Sequence, residues 1–151
     1  MPTLKDQLRS DLTNAMKARD ETRTRTLRMA LTSISNEEVA GSAARNLTDD
    51  EVIKILTREA KRRREAAAAF ADADRDDQAA AERAEEQVLA GYLPAQLDDD
   101  ELAAMVATAI AETGAAGPAG IGQVMKVVTP RVAGRADGSR VAALVRSQLN
   151  D

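Results

Sequence analysis

Only two side chains in this 151-residue chain are aromatic, Phe70 and Tyr92, so a core must be assembled from Leu, Ile, Val, Met and Ala. Small aliphatic cores suit closely packed helices, whereas sandwiches and barrels draw on β-branched and aromatic residues. The apolar spacing agrees. Leu4, Leu8, Leu12, Ala15 and Met16 recur at helical intervals behind a cap at Thr3 and Asp6. Asp20 offers a second cap, and Leu27, Ala30, Leu31 and Ile34 mark one face of a helix from Glu21 to about Ala40, with Gly41 as its stop. The two form a hairpin that turns near Arg19-Asp20, and Arg23 falls close enough to the apolar stripe to need a partner. Thr48-Asp49-Asp50-Glu51 is a capping box with Leu47 and Val52 placed as a hydrophobic staple. Its helix passes Ile55 and Leu56, fades into Ala66-Ala67-Ala68-Ala69 and ends near Phe70. A fourth helix is predicted from about Asp76 to Leu93, facing inward through Ala80, Ala84, Val88, Leu89 and Tyr92.

Pro94 then divides the chain. A proline lacks the helical donor and pushes its predecessor out of the α region, so the fourth helix should stop at Leu93. We read residues 1–93 as an N-terminal domain of about four helices and 94–151 as a C-terminal three-helix domain, all-α throughout. In the second, Asp98-Asp99-Asp100-Glu101 caps a helix carrying Leu102, Met105, Val106, Ala109 and Ile110 as far as Gly114. Ile121, Val124, Met125, Val128 and Val132 mark the next, which Pro130 should kink or loosen and Gly134 should end. Asp137 caps the last, with Val141, Leu144, Val145 and Leu149 inward.

What is missing narrows the chemistry. The chain has neither cysteine nor histidine, so it lacks a thiolate nucleophile, a disulfide framework, the commonest metal ligand and the usual base near neutral pH. There is no GxxxxGK[ST] loop for ATP, and Gly120-Ile121-Gly122 lacks the preceding strand and third glycine of a dinucleotide loop. No cofactor or metal is expected. No apolar run approaches the ~18 residues of a membrane span, and the charged, amphipathic start is unlike a signal peptide. A cytoplasmic protein without a membrane partner is the expectation.

Charge is distributed unevenly. The net formal charge is −4. From Pro94 to Gly120 there are five acids and no base, whereas from Ile121 to Leu149 there are five bases, Lys126, Arg131, Arg135, Arg140 and Arg146, and one acid, Asp137. Such a local excess suits a phosphate-binding face. Gly134-Arg135-Ala136-Asp137-Gly138 reads as a tight helix–helix corner, or as an anion site between Arg135 and Arg140. Lys61-Arg62-Arg63-Arg64 is placed to face Glu82, Glu85 and Glu86 as interhelical ion pairs, or else to offer a nucleic-acid surface.

Several short strings occur in a specific order: Leu27-Arg28-Met29, Asn36-Glu37, Lys61-Arg62-Arg63-Arg64-Glu65, Arg75-Asp76-Asp77, Tyr92-Leu93-Pro94, Gly122-Gln123-Val124-Met125 and Gly134-Arg135-Ala136-Asp137-Gly138. From about Leu4 to Leu149 the chain resembles the GatB/YqeY family, free-standing relatives of the tail of the tRNA-dependent amidotransferase B subunit. The resemblance implies a long-helix N-terminal domain followed by a small three-helix domain. It also implies a tail that engages tRNA while catalytic subunits convert misacylated Glu-tRNA or Asp-tRNA to the amide; a similar domain is appended to some glutaminyl-tRNA synthetases. Carried to this chain, the candidate nucleic-acid contacts are Lys126, Arg131, Arg135, Arg140 and Arg146. The partners it implies are tRNA, an aminoacyl-tRNA amidotransferase or a synthetase. The chain departs from the family's pattern at Gly120, where an acid is usual, at Gln123, where a lysine is usual, and at Gln78, where a leucine is usual.

The family label is carbon–nitrogen ligase with glutamine as amido-N-donor. Glutamine hydrolysis requires an activated cysteine, or a serine activated through a lysine and a second serine. Neither arrangement is present, so a non-catalytic module is expected, and the label would belong to a complex. The alternative is a helical protein–protein adaptor without RNA, which the net negative charge and Asp98 to Glu101 would suit. We predict that the purified chain releases no ammonia from glutamine; release above a buffer blank that scales with protein would refute this.

Overall fold

The computed structural model describes residues 1–150. Among them are seven α-helices, one 3-10 turn at Pro118–Gly120 and no strand. The helices are α1 (Leu4–Lys17), α2 (Glu21–Glu38), α3 (Asp49–Asp72), α4 (Asp76–Ala90), α5 (Asp99–Thr113), α6 (Ile121–Val132) and α7 (Gly138–Asn150). They gather into two compact units, Met1–Leu93 and Pro94–Asp151.

In the first unit, α1 to α4 enclose a core that includes Leu8, Leu27, Ile34, Val52, Leu56 and Leu89. Fully burying each such side chain contributes about 1.5–3 kcal/mol before chain entropy is set against it. The expected caps are in place. Thr3 Oγ1 accepts from Asp6 N, Asp20 Oδ1 from Arg23 N and Thr48 Oγ1 from Glu51 N, at 3.1, 3.1 and 3.2 Å. Glu51 also pairs with Arg45, whose hydrogen bond holds the Glu51 carboxyl down at about 2. This cap therefore stays charged as pH falls through the usual carboxylate range.

Three expectations need correction. Met16 is 43% exposed, outside the core its spacing suggested. In α4, Ala79, Glu85 and Leu89 face inward, while Ala80 and Ala84 are exposed. Alanine carries little burial signal of its own, and the ion pairs of Glu85 set the rotation of the helix. Finally, α4 ends at Ala90, short of Leu93. Tyr92 N and Leu93 N turn to the carbonyls of Leu89 and Ala90 at 3.0 and 3.1 Å. These are i→i−3 bonds of a tightening last turn, after a glycine and ahead of a proline that disfavours helical Leu93.

The second unit packs α5, α6 and α7 around Leu102, Val106, Ala109, Val124, Val128, Val141 and Val145. Pro130 lies within α6, which nevertheless runs on to Val132. Its missing N–H costs one bond in the final turn, and Ala133 N still reaches the Thr129 carbonyl at 3.2 Å. Gly120 is buried, and a Cβ there would stand 2.7 Å from that of Ala115. The loop can reach α6 only with a glycine at that point.

Because each unit holds its own core, we expect residues 1–93 and 95–151 to fold as separate fragments. Each should keep helical circular dichroism and a cooperative melt. A fragment without either would show that the boundary at Pro94 does not separate independent domains.

Candidate functional site

The five candidate bases of the second unit do not share one environment. On α6, Val124, Val128 and Val132 are buried, and Lys126, half a turn away from Val124 and from Val128, is exposed. On α7, Val141, Val145 and Leu149 face inward and Arg146 is exposed. Lys126 and Arg146 make no ion pair among the described residues. Arg131 donates to Glu112 of α5 at 2.6 Å, with both side chains near half-exposed. Such a pair contributes only ~0–1 kcal/mol and yields readily to a competing anion.

Arg135 and Arg140 instead brace the segment leading into α5. Arg135 Nε donates to the Ala95 carbonyl at 3.0 Å, and the Arg135 carbonyl accepts from Leu97 N at 2.8 Å. Arg140 donates to the Leu97 carbonyl at 3.0 Å and to Asp99 at 2.5 Å. The glycine corner between α6 and α7 is a tight turn. Ala133 and Gly134 adopt φ of 47° and 79°, and Asp137 turns its own carboxylate onto Ser139 N at 3.3 Å.

In the first unit the basic quartet becomes an ion-pair network. Arg63, 5% exposed, donates to the Glu59 carboxylate at 2.8 Å, and its Nε lies 3.4 Å from Glu85 of α4. The Nε–Glu85 approach is Coulombic only, because Arg63 Nε has no acceptor in hydrogen-bonding geometry. Arg25 of α2 also reaches Glu85, at 2.9 Å, and Arg64 reaches Glu86 at 3.0 Å. Arg62 pairs with Glu59 at 3.3 Å. Glu82 makes no ion pair among the described residues. Burial alone would raise the Glu59 pKa, but hydrogen bonds from Arg63 and Ser33 outweigh it and hold the carboxyl below its ordinary value. Sequence reasoning missed Glu59. The available signal was a carboxylate in phase with Val52, Ile55 and Leu56, one turn before Arg63.

Arg23 finds the partner its position demanded. It donates to the Tyr92 hydroxyl at 3.1 Å, which itself donates to Asp11 at 2.5 Å. Burial and the Asp11 acceptor push the Tyr92 pKa up. This group joins α1, α2 and the segment after α4, beside an open groove of about 770 Å³ lined by Thr3, Leu4, Asp6, Asp11, Ile53 and Tyr92, among others. Among the described residues, no cluster of acids could hold a metal ion, and no helix is long and apolar enough to cross a membrane.

A family model described as Yqey-like protein matches residues 5–149. Among curated proteins, altered inheritance of mitochondria protein 41, mitochondrial, of Clavispora lusitaniae is 33% identical over 100 residues, covering 64% of this chain and 57% of that protein. The chain thus spans little more than half the length of this relative.

The buried network generates a stability prediction. Arg63→Met leaves Glu59 and Glu85 buried without their shared cation and should destabilise by about 3–5 kcal/mol, whereas Arg64→Ala, at an exposed pair, should cost ~1 kcal/mol or less. The depressed Glu59 carboxyl contributes stability above its unfolded pKa, near 4.5, that is lost as pH falls through the lower folded value. Urea denaturation of both variants at neutral and acidic pH measures this. Equal losses for the two variants would contradict it.

Proposed function

The chain belongs to the YqeY-like family, and on that premise we propose that it is a non-catalytic, tRNA-associating module whose C-terminal helices meet the phosphate backbone. The observation that carries this reading is the exposure of Lys126 on α6 and Arg146 on α7 without ion-pair partners among the described residues. Arg131, held only by a solvent-exposed glutamate, is the next cation to turn outward. Arg135 and Arg140 enter as supports of the segment before α5, and their contribution to RNA is secondary.

The second unit carries no aromatic side chain on which a base could stack. Recognition then rests on phosphate charge and RNA shape, so affinity falls steeply with salt. The GatB-type resemblance supplies the class of RNA and the association with an amidotransferase or synthetase. The ligase label belongs to such an assembly, because this chain contributes neither nucleophile nor ATP loop. A cytoplasmic location is part of the same proposal.

A protein–protein adaptor is the second reading. It is favoured by the acids opening α5: Asp98 and Glu101 close their own capping box, Asp99 holds Arg140, and Asp100 is exposed.

Replacing Lys126, Arg131 and Arg146 with alanine, with helicity checked by circular dichroism, and titrating tRNA at two salt concentrations separates the readings. The variant should bind more weakly, and its salt slope should fall by roughly 0.7–0.9 per lost contact. Unchanged affinity and slope would place the adaptor first.

A further inference from the structure

Arg63 is poorly served as a donor for so buried a group. Its Nη1 donates to the Glu59 carbonyl and carboxylate, at 3.0 and 2.8 Å. Its Nε has no acceptor, and its Nη2 rests on the Sδ of Met29 from α2 at 3.7 Å. A thioether is a weak acceptor, and a buried guanidinium hydrogen without a strong acceptor carries a desolvation cost. Met29 is at the same time 46% exposed, so its side chain meets solvent. It forms no part of the hydrophobic core of this unit.

We propose that Met29 is a reversible oxidation site, modified by peroxide-class oxidants, whose sulfoxide oxygen supplies the strong acceptor that Nη2 of buried Arg63 lacks. In the step, a sulfur lone pair attacks one peroxide oxygen. The S–O bond forms and the O–O bond breaks; sulfur gives up two electrons, and the departing hydroxide leaves as water with the proton displaced from the transferred oxygen. A sulfoxide commonly harms a protein by placing a polar oxygen in a packed core. Here the oxygen forms outside the hydrophobic core, on the sulfur already touching the guanidinium. A charge-assisted hydrogen bond replaces a weak one and ties α2 more firmly to α3.

Met16 provides an internal comparison. It is 43% exposed, and its Sδ lies 3.2 Å from Arg28 Nη2. Arg28 is itself exposed, so water already serves its hydrogens and a new acceptor adds nothing. The two methionines should therefore react alike and differ in consequence. Met105 and Met125 pack against the core of the second unit and should react later.

The test treats the full chain, and the Met16→Leu and Met29→Leu variants, with hydrogen peroxide, maps the added oxygens by peptide mass spectrometry and follows thermal unfolding by circular dichroism. Oxidation at Met16 and Met29 should precede that at Met105 and Met125. The melting temperature should then rise by ~4 °C or more in the parent and in Met16→Leu, and not in Met29→Leu. Methionine sulfoxide reductase should reverse the rise. An unreactive Met29, or a melting temperature that is unchanged, lowered or raised equally in Met29→Leu, would overturn the proposal.

Discussion

Much of the first unit depends on one buried cation. Removing Arg63 from water costs several kcal/mol unless anions meet it at close range. Glu59 does so from one turn earlier on α3, and Glu85 from α4. That demand leaves α3 and α4 little freedom to slide or rotate. A rotation of α4 by one residue position would bring Ala84 inward and strand both partners. Buried alanines at Ala60, Ala67 and Ala79 let the two backbones come close. Such smooth surfaces specify register poorly by shape alone, so the charges supply what the packing does not.

Among its described residues, the second unit solves the same problem without a buried charge. Its core is purely aliphatic and alanyl, and its cations lie at the margin, where guanidinium groups donate to backbone carbonyls as much as to acids. Arg135 and Arg140 replace the regular hydrogen bonds that residues 95–97, outside any helix, cannot make for themselves. Work of this kind constrains the two arginines, whereas Lys126 and Arg146 are exposed and make no ion pair among the described residues.

The contrast bears on function. Catalysis requires a nucleophile or base held in a protected cleft, whereas binding to a phosphate backbone requires only cations that solvent can reach and that no carboxylate has already claimed. Lys126 and Arg146, exposed and without ion pairs among the described residues, are the cations on which the proposed phosphate contact rests. The strongest concentration of positive charge in the sequence, Lys61 to Arg64, is consumed largely by its own neighbours, Glu59, Glu65, Glu85 and Glu86. A run of basic residues is thus a poor guide to an interface when acids recur at helical spacing nearby.

The sequence by itself determined the helical class, the caps at Thr3, Asp20, Thr48 and Asp98, and most apolar stripes, because these follow from local spacing and from hydrogen bonds within one turn. It also carried the family, through short strings in a fixed order. Tertiary structure alone decided that α4 turns Ala79 and Glu85 inward in place of Ala80 and Ala84, since alanines leave the helix face ambiguous and a partner on another helix resolves it. It likewise decided which of the five C-terminal bases are engaged. Arg131, Arg135 and Arg140 meet groups 19 to 43 residues away in sequence, and no local pattern encodes such distances.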